Sequence, residues 1–164
     1  MNAALDRIAK HGRYYNDPII AIDWQVADAE RPWLPKGLLL GPNAEAAMED
    51  DQFVALSRAE YTRLCAAGLW LEGLLINRVT GSGLIGLETE EARVMLQEIR
   101  EETGHSLMFL EMIDRAGHDD RPRLTGTRLL TAIAKRLRIE TAEFWAMVFI
   151  GETVTDTFAM KALK

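Results

Sequence analysis

Residues 88–115, ETEEARVMLQEIREETGHSLMFLEMIDR, decide the fold. Within them Met95, Ile99, Glu102, Ser106, Phe109 and Ile113 recur at three- and four-residue steps, the period of one face of an α-helix. The acidic opening, ETEE, complements the positive end of a helix dipole. One long helix from Glu88 to Arg115 is therefore predicted. Its apolar stripe holds a residue out of character, Glu102, with His105 one turn further on.

The same texture extends on both sides. Leu64, Gly68, Leu71, Leu75 and Val79 predict a helix from about residue 57 that ends at TGSG, residues 80–83. After Arg115 a charged, breaker-containing linker, RAGHDDRPR, precedes a shorter helix over roughly 126–138. A last helix from about Thr141 carries Trp145, Val148, Phe149, Glu152, Thr155 and Ala159 on one face. Residues 1–50 differ: NDP, RPWLPKG and GPN interrupt every periodicity, and four of the five prolines lie here. They read as an extended N-terminal arm, anchored by Ile19, Ile20, Ile22, Trp24, Trp33 and Leu38 to Leu40, laid over a helical bundle domain of residues 51–164. No convincing strand alternation and no repeat is visible, so the fold class is all-α.

Composition excludes several functions. At 164 residues, with 48% apolar and 27% charged side chains, the chain is an ordinary single globular domain able to bury a core. A net charge of −6 argues against nucleic acid as a partner. A helix-turn-helix reading of LLTAIAKRLRIETAEFWAMV fails for a second reason: its recognition helix, rich in Trp145, Met147, Val148, Phe149 and Ile150, is too apolar for a groove lined by phosphates. One cysteine, Cys65, precludes an internal disulfide framework and fits a reducing, cytoplasmic setting, where it reads as a small buried hydrophobe. The N-terminus is too polar for a secretory signal, and no apolar run reaches the ~18 residues of a membrane span. The four tryptophans read as core or arm anchors. With three histidines, no nucleophile constellation stands out.

Three glutamates share one oddity. Glu72 falls among Cys65, Leu69 and Ile76, Glu102 among Met95, Ile99 and Phe109, and Glu152 among Trp145, Phe149 and Ala159. Burying one unpaired carboxylate costs several kcal/mol, on the order of what a partner or a proton must return. Side chains three apart on a helix are neighbours, so Glu102 and His105 can enter one interior volume and form a ligand pair for a transition metal. Ferritin-like di-iron and di-manganese bundles use single glutamates from two helices and Glu-x-x-His pairs from two others. Here Glu72 and Glu152 would be the single carboxylates and Glu102–His105 one pair; neither His11 nor His118 has a glutamate three residues before it. The competing reading is a metal-free helical module for protein contact or stability, its carboxylates satisfied by arginines or by protons.

These residues resemble a known group, the ferritin-like di-iron oxygenases typified by p-aminobenzoate N-oxygenase. EGLLINRV, from Glu72, is similar to the first ligand helix of that family. EETGHSLMFLEMIDR, from Glu101, resembles its Asp-Glu-x-x-His helix, WAMVFIGETVTD the segment around its third glutamate, and DPIIAIDWQVAD the stretch before the bundle. The resemblance covers most of the chain. It implies a partial ferritin-like bundle in which Glu72, Glu102, His105 and Glu152 hold two iron ions, with Glu102 bridging and dioxygen as co-substrate; manganese also suits the donor set. Glu101, where the family has Asp, takes a role behind the metal, orienting a ligand imidazole. The family's chemistry, oxidation of arylamines to hydroxylamine and nitro products, implies a small-molecule substrate and an electron donor. Family members carry a further helix with two histidines and a glutamate, which does not follow Glu152 here. The expectation is that either further sequence or a second subunit, in a homodimer, completes the cage.

Overall fold

The computed structural model describes residues 15–26, 30–39, 48–81, 84, 86–117, 127–136 and 141–162. The fold is all-helical: α1 (Pro18–Ala21), a 3-10 turn (Trp24–Val26), α2 (Lys36–Leu39), α3 (Asp50–Gly81), α4 (Thr89–Arg115), α5 (Thr127–Ala134) and α6 (Ala142–Ala162), with no strand among the described residues. His11 and His118 lie outside those residues.

The two long helices, α3 and α4, pack along each other and form the body of the molecule. Helix α3 begins at Asp50, earlier than its apolar pattern alone predicts. Asp50 and Asp51 supply negative charge to its first turn, and Phe53, 2% exposed, adds an anchor before the periodic run. Its buried face runs through Phe53, Ser57, Thr62, Cys65, Glu72, Leu75 and Val79. Helix α4 starts at Thr89, as ETEE predicts, where the Glu91 carboxylate accepts the backbone N–H of Glu88 at 3.4 Å. It ends at Arg115, with Ala116 as its C-cap, and Gly117 follows with a φ of 66°, the left-handed turn that other residues resist.

At one contact a ring of α4 lies against the backbone of α3. A methyl group on Gly68 of α3 would lie 2.6 Å from the Phe109 ring of α4, so the ring occupies the space a side chain would need. A small core forms where α6 crosses: Phe144 is 1% exposed and packs with Leu75 and Val79, flanked by Met95, Ile99, Met147 and Val148. Gly151 of α6 rests on Leu71 of α3. Helix α5 is tied to α3 by Trp70, whose indole N–H donates to the Thr131 hydroxyl at 3.0 Å.

The described part of the N-terminal segment is short helical turns, held to the long helices by polar contacts. Asp17 caps α1 by accepting the Ile19 N–H at 2.9 Å, with Pro18 in the first helical turn, where its missing N–H costs nothing. Arg115 of α4 donates to the Trp24 carbonyl at 2.9 Å and lies over the Trp24 ring. Ser57, wholly buried, accepts the Leu34 N–H at 2.6 Å and donates back to its carbonyl at 3.3 Å. Trp33 packs edge-on against Tyr61. Cys65 is buried and free, as expected for a small core hydrophobe.

Helix α6 corrects one expectation. The face carrying Trp145, Phe149 and Glu152 is exposed, with Phe149 at 70%, and the residues turned inward are Phe144, Met147, Val148 and Gly151. Every position from Phe144 to Gly151 is apolar, so this part of α6 has no polar face by which to orient it.

Candidate metal centre

Glu72 is contributed by α3, and Glu102 and His105 by one turn of α4. The lateral packing of these helices turns all three toward one another: each offers a ligand atom within 4.8 Å of the other two. Glu72 and Glu102 are 4% and 7% exposed, while the His105 side chain is 42% exposed and forms the open side of the cluster. His105 Nδ1 stands 3.1 Å from Glu102 Oε2 and 3.5 Å from Glu72 Oε1.

The electrostatics of this cluster are those of a site short of positive charge. Burial pushes the Glu72 carboxyl up to about 7, with the His105 contact opposing and Glu102 reinforcing the rise. Burial also opposes ionisation of Glu102, yet hydrogen bonds from His105 and from Glu72 outweigh it and hold that carboxyl below its ordinary value. The two carboxylates together raise the imidazole to about 10, against the effect of its own burial. Near neutral pH Glu102 is therefore ionised and His105 protonated, with Glu72 near the midpoint of its own titration. Glu72 Oε2 is buried and has no hydrogen-bond partner.

Glu152 lies outside this group of three. It is exposed on α6, and its charge acts on Glu98 of α4. Glu98 is a residue the periodicity could have flagged, since it lies one turn before Glu102 on the same helix. It is half-buried, and burial first, then the charges of Glu101, Glu102 and Glu152, raise its carboxyl above the ordinary range. Glu101 stands 4.0 Å from Arg100. Among the described residues the hydrogen-bonding partners of the imidazole are Glu102 and Glu72, while Glu101 shares with His105 the wall of a cleft of about 230 Å³ that opens between Tyr15, Asn16 and Pro18.

Two carboxylates and an imidazole, with one buried carboxylate oxygen unpartnered, are a hard oxygen and borderline nitrogen set suited to divalent iron, manganese or zinc. No described helix is long and apolar enough to cross a membrane. Comparison with known proteins agrees with the chemistry of the site: the model of the family p-aminobenzoate N-oxygenase AurF matches residues 2–164. No curated protein and no solved structure matches the chain.

Proposed function

The chain belongs to the p-aminobenzoate N-oxygenase family, and from that premise we propose that it is a non-haem di-iron oxygenase that transfers oxygen to the nitrogen of a small amine. The observation that carries the proposal is Glu72, 4% exposed with an oxygen that has no partner, facing a second buried carboxylate and an imidazole. Keeping both carboxylates ionised in such surroundings, with the His105 imidazolium as the positive group beside them, costs roughly several kcal/mol. A metal ion removes that cost by replacing the protons that the cluster otherwise holds.

Glu72, Glu102 and His105 would hold the metal, and in the structure the His105 imidazole contacts both carboxylates. When bound, iron supplies the electrons by which dioxygen is activated. The protein's own part is separate from that chemistry. Residues Glu72 and Glu102 are shielded from water by the packed α3–α4 face, and His105 presents the open edge where a substrate can approach. The helices fix all three ligands before any metal arrives, which lowers the reorganisation that binding requires. The three donors brought together among the described residues are fewer than two iron ions need. A homodimer that brings the same three groups from a second copy would give the four carboxylates and two imidazoles of ferritin-like sites, and this is the proposed assembly.

The test is metal content. Protein produced with added iron should retain iron through gel filtration, and Glu102→Gln and His105→Ala should each lower the retained iron by at least ~10-fold, in line with loss of one ligand. Retention of one iron per chain by a dimeric species fits the shared cage. Wild-type protein that carries no metal under these conditions, while remaining folded, refutes the reading.

A further inference from the structure

Two helices meet the rest of the molecule along one side only. Helix α6 turns Phe144, Met147, Val148 and Gly151 toward α3 and α4, and α5 is tied to α3 by the hydrogen bond from Trp70 to Thr131. Their docking points, Trp70 for α5 and Leu71 for α6, are consecutive residues, so both helices attach at one level of α3. The sides turned away are apolar. On α6 Trp145, Phe149, Ile150 and Val154 are 38%, 70%, 62% and 63% exposed, and on α5 Leu129, Leu130 and Ile133 are 68%, 51% and 46% exposed. Trp145 and Phe149, Ile150 and Val154, and Leu129 and Ile133 are each four apart, so these side chains form rows along the helices. Elsewhere among the described residues the large apolar side chains in water, Ile20, Leu87, Leu96 and Leu107, are scattered.

Area and charge together select what covers these rows. At roughly 200 Å² for a large side chain wholly in water, they leave on the order of 800 Å² of apolar surface exposed. That exceeds the few hundred Å² a monomer usually shows, and it matches the roughly 800 Å² that one partner buries in a standard stable interface. Arg128, Lys135 and Arg136, on α5 and just past its end, are exposed cations, whereas α6 carries the exposed carboxylates Glu143 and Glu152. A surface with one sign beside α5 and the other beside α6 is complementary to itself. A copy turned through 180° lays its α6 over α5 and its α5 over α6, with the apolar rows meeting in the middle and opposite charges facing at each rim. An anionic membrane fits less well, since the carboxylates of α6 and the net charge of −6 are repelled by it.

We propose that the outer faces of α5 and α6 form a two-fold interface with a second copy of this chain. Phe149 and Ile133 are its apolar centre, and contacts between Arg136 of each copy and Glu143 of the other close its rim. The face lies on the side of α6 turned away from α3 and α4, the helices that carry Glu72, Glu102 and His105. The inference therefore goes beyond the oxygenase reading: this pair forms without metal, and any sharing of ligands between copies uses a separate face.

The experiment is sedimentation equilibrium of the full chain after chelation, over a micromolar dilution series. Wild-type protein is expected to be a dimer that dissociates on dilution. Phe149→Glu and Ile133→Glu each put a carboxylate in the centre of the contact and should weaken pairing at least ~30-fold, while Leu96→Glu, at an exposed leucine of α4, should leave it unchanged. Arg136→Glu should weaken pairing about tenfold, and adding Glu143→Arg should restore it. All five positions are exposed, so the variants should keep the helix content of the wild type, checked by circular dichroism. Chelated wild type that is monomeric throughout overturns the proposal, whether it stays alone or sediments with anionic phospholipid vesicles. So does a dimer that Phe149→Glu and Ile133→Glu leave intact, or one that the reversed charge pair fails to restore. Association that appears only after metal is added also overturns it, and leaves the shared cage standing. A dimer of chelated protein that never loads iron keeps this interface and loses the oxygenase reading.

Discussion

Replacing Glu72 by glutamine should stabilise the metal-free protein while abolishing its metal response. The side chain is 4% exposed, so solvent screens its charge little. Its carboxyl rises from 4.5 to about 7, and a raised acid constant means that the folded chain holds the proton more tightly than the unfolded chain does. The resulting cost of ionisation is absent below pH 4.5 and complete above pH 7, where the shift corresponds to about 3 kcal/mol. Glutamine keeps the shape and removes the charge, although its amide must find a partner where the carboxylate found His105, so the net gain at pH 8 should be about 1–3 kcal/mol. For a chain of this size each kcal/mol moves the melting temperature by about 2–4 °C. The assay is thermal and urea unfolding at pH 8, after chelation and after addition of iron or zinc. Wild-type protein should gain stability on adding metal, and Glu72→Gln should start higher and gain nothing. A variant less stable than the chelated wild type would show that the carboxylate is held for a structural ion pair with His105, and the inference drawn from its unpartnered oxygen would fail.

Three further outcomes follow from the same geometry. Because the folded His105 is raised from 6.5 to about 10, its protonation stabilises the metal-free fold below pH 6.5 and that contribution is lost as pH climbs toward 10; chelated wild type should lose stability between pH 7 and 10 in a melting series, and His105→Gln should not show that loss. Gly104→Ala would drive a methyl group into the Tyr15 hydroxyl, and it should lower stability by about 1–3 kcal/mol and expose Tyr15 to solvent, read by tyrosine fluorescence quenching. Ser57→Ala strands the Leu34 N–H in a buried position and should cost about 1–3 kcal/mol in urea unfolding, with faster amide exchange around Leu34.

The two long helices and the pairing of Glu72 with Glu102 and His105 were legible in the sequence because a single polar residue in a clean apolar stripe is a strong signal. Glu152 shows where that signal fails. On α6 the residues Phe144 to Ile150 are apolar almost all round, so the face occupied by one glutamate does not reveal which side turns inward, and tertiary packing through Phe144 and Gly151 decides it. Glu98 is the converse case: it occupies the turn preceding Glu102, yet stands among the polar and charged neighbours Gln97, Arg100 and Glu101 that make it read as surface. The start of α3 at Asp50 was hidden because Phe53 and Ser57 belong to the contact with the N-terminal segment, a long-range partner that no local periodicity reports. The cleft was invisible for the same reason, since it joins Tyr15 to residues on α4 far away in sequence.

Gly68 lies one helical turn before Glu72, and Phe109 one turn after His105, so the contact of ring with bare backbone between α3 and α4 is next door to the three grouped residues. The distance from Glu72 to Glu102 and His105 thus depends on whether a ring can sit against bare backbone. A single added carbon at position 68 would meet the Phe109 ring and push α3 away from α4, so the spacing of Glu72 from Glu102 and His105 depends on a residue that has no donor atom at all.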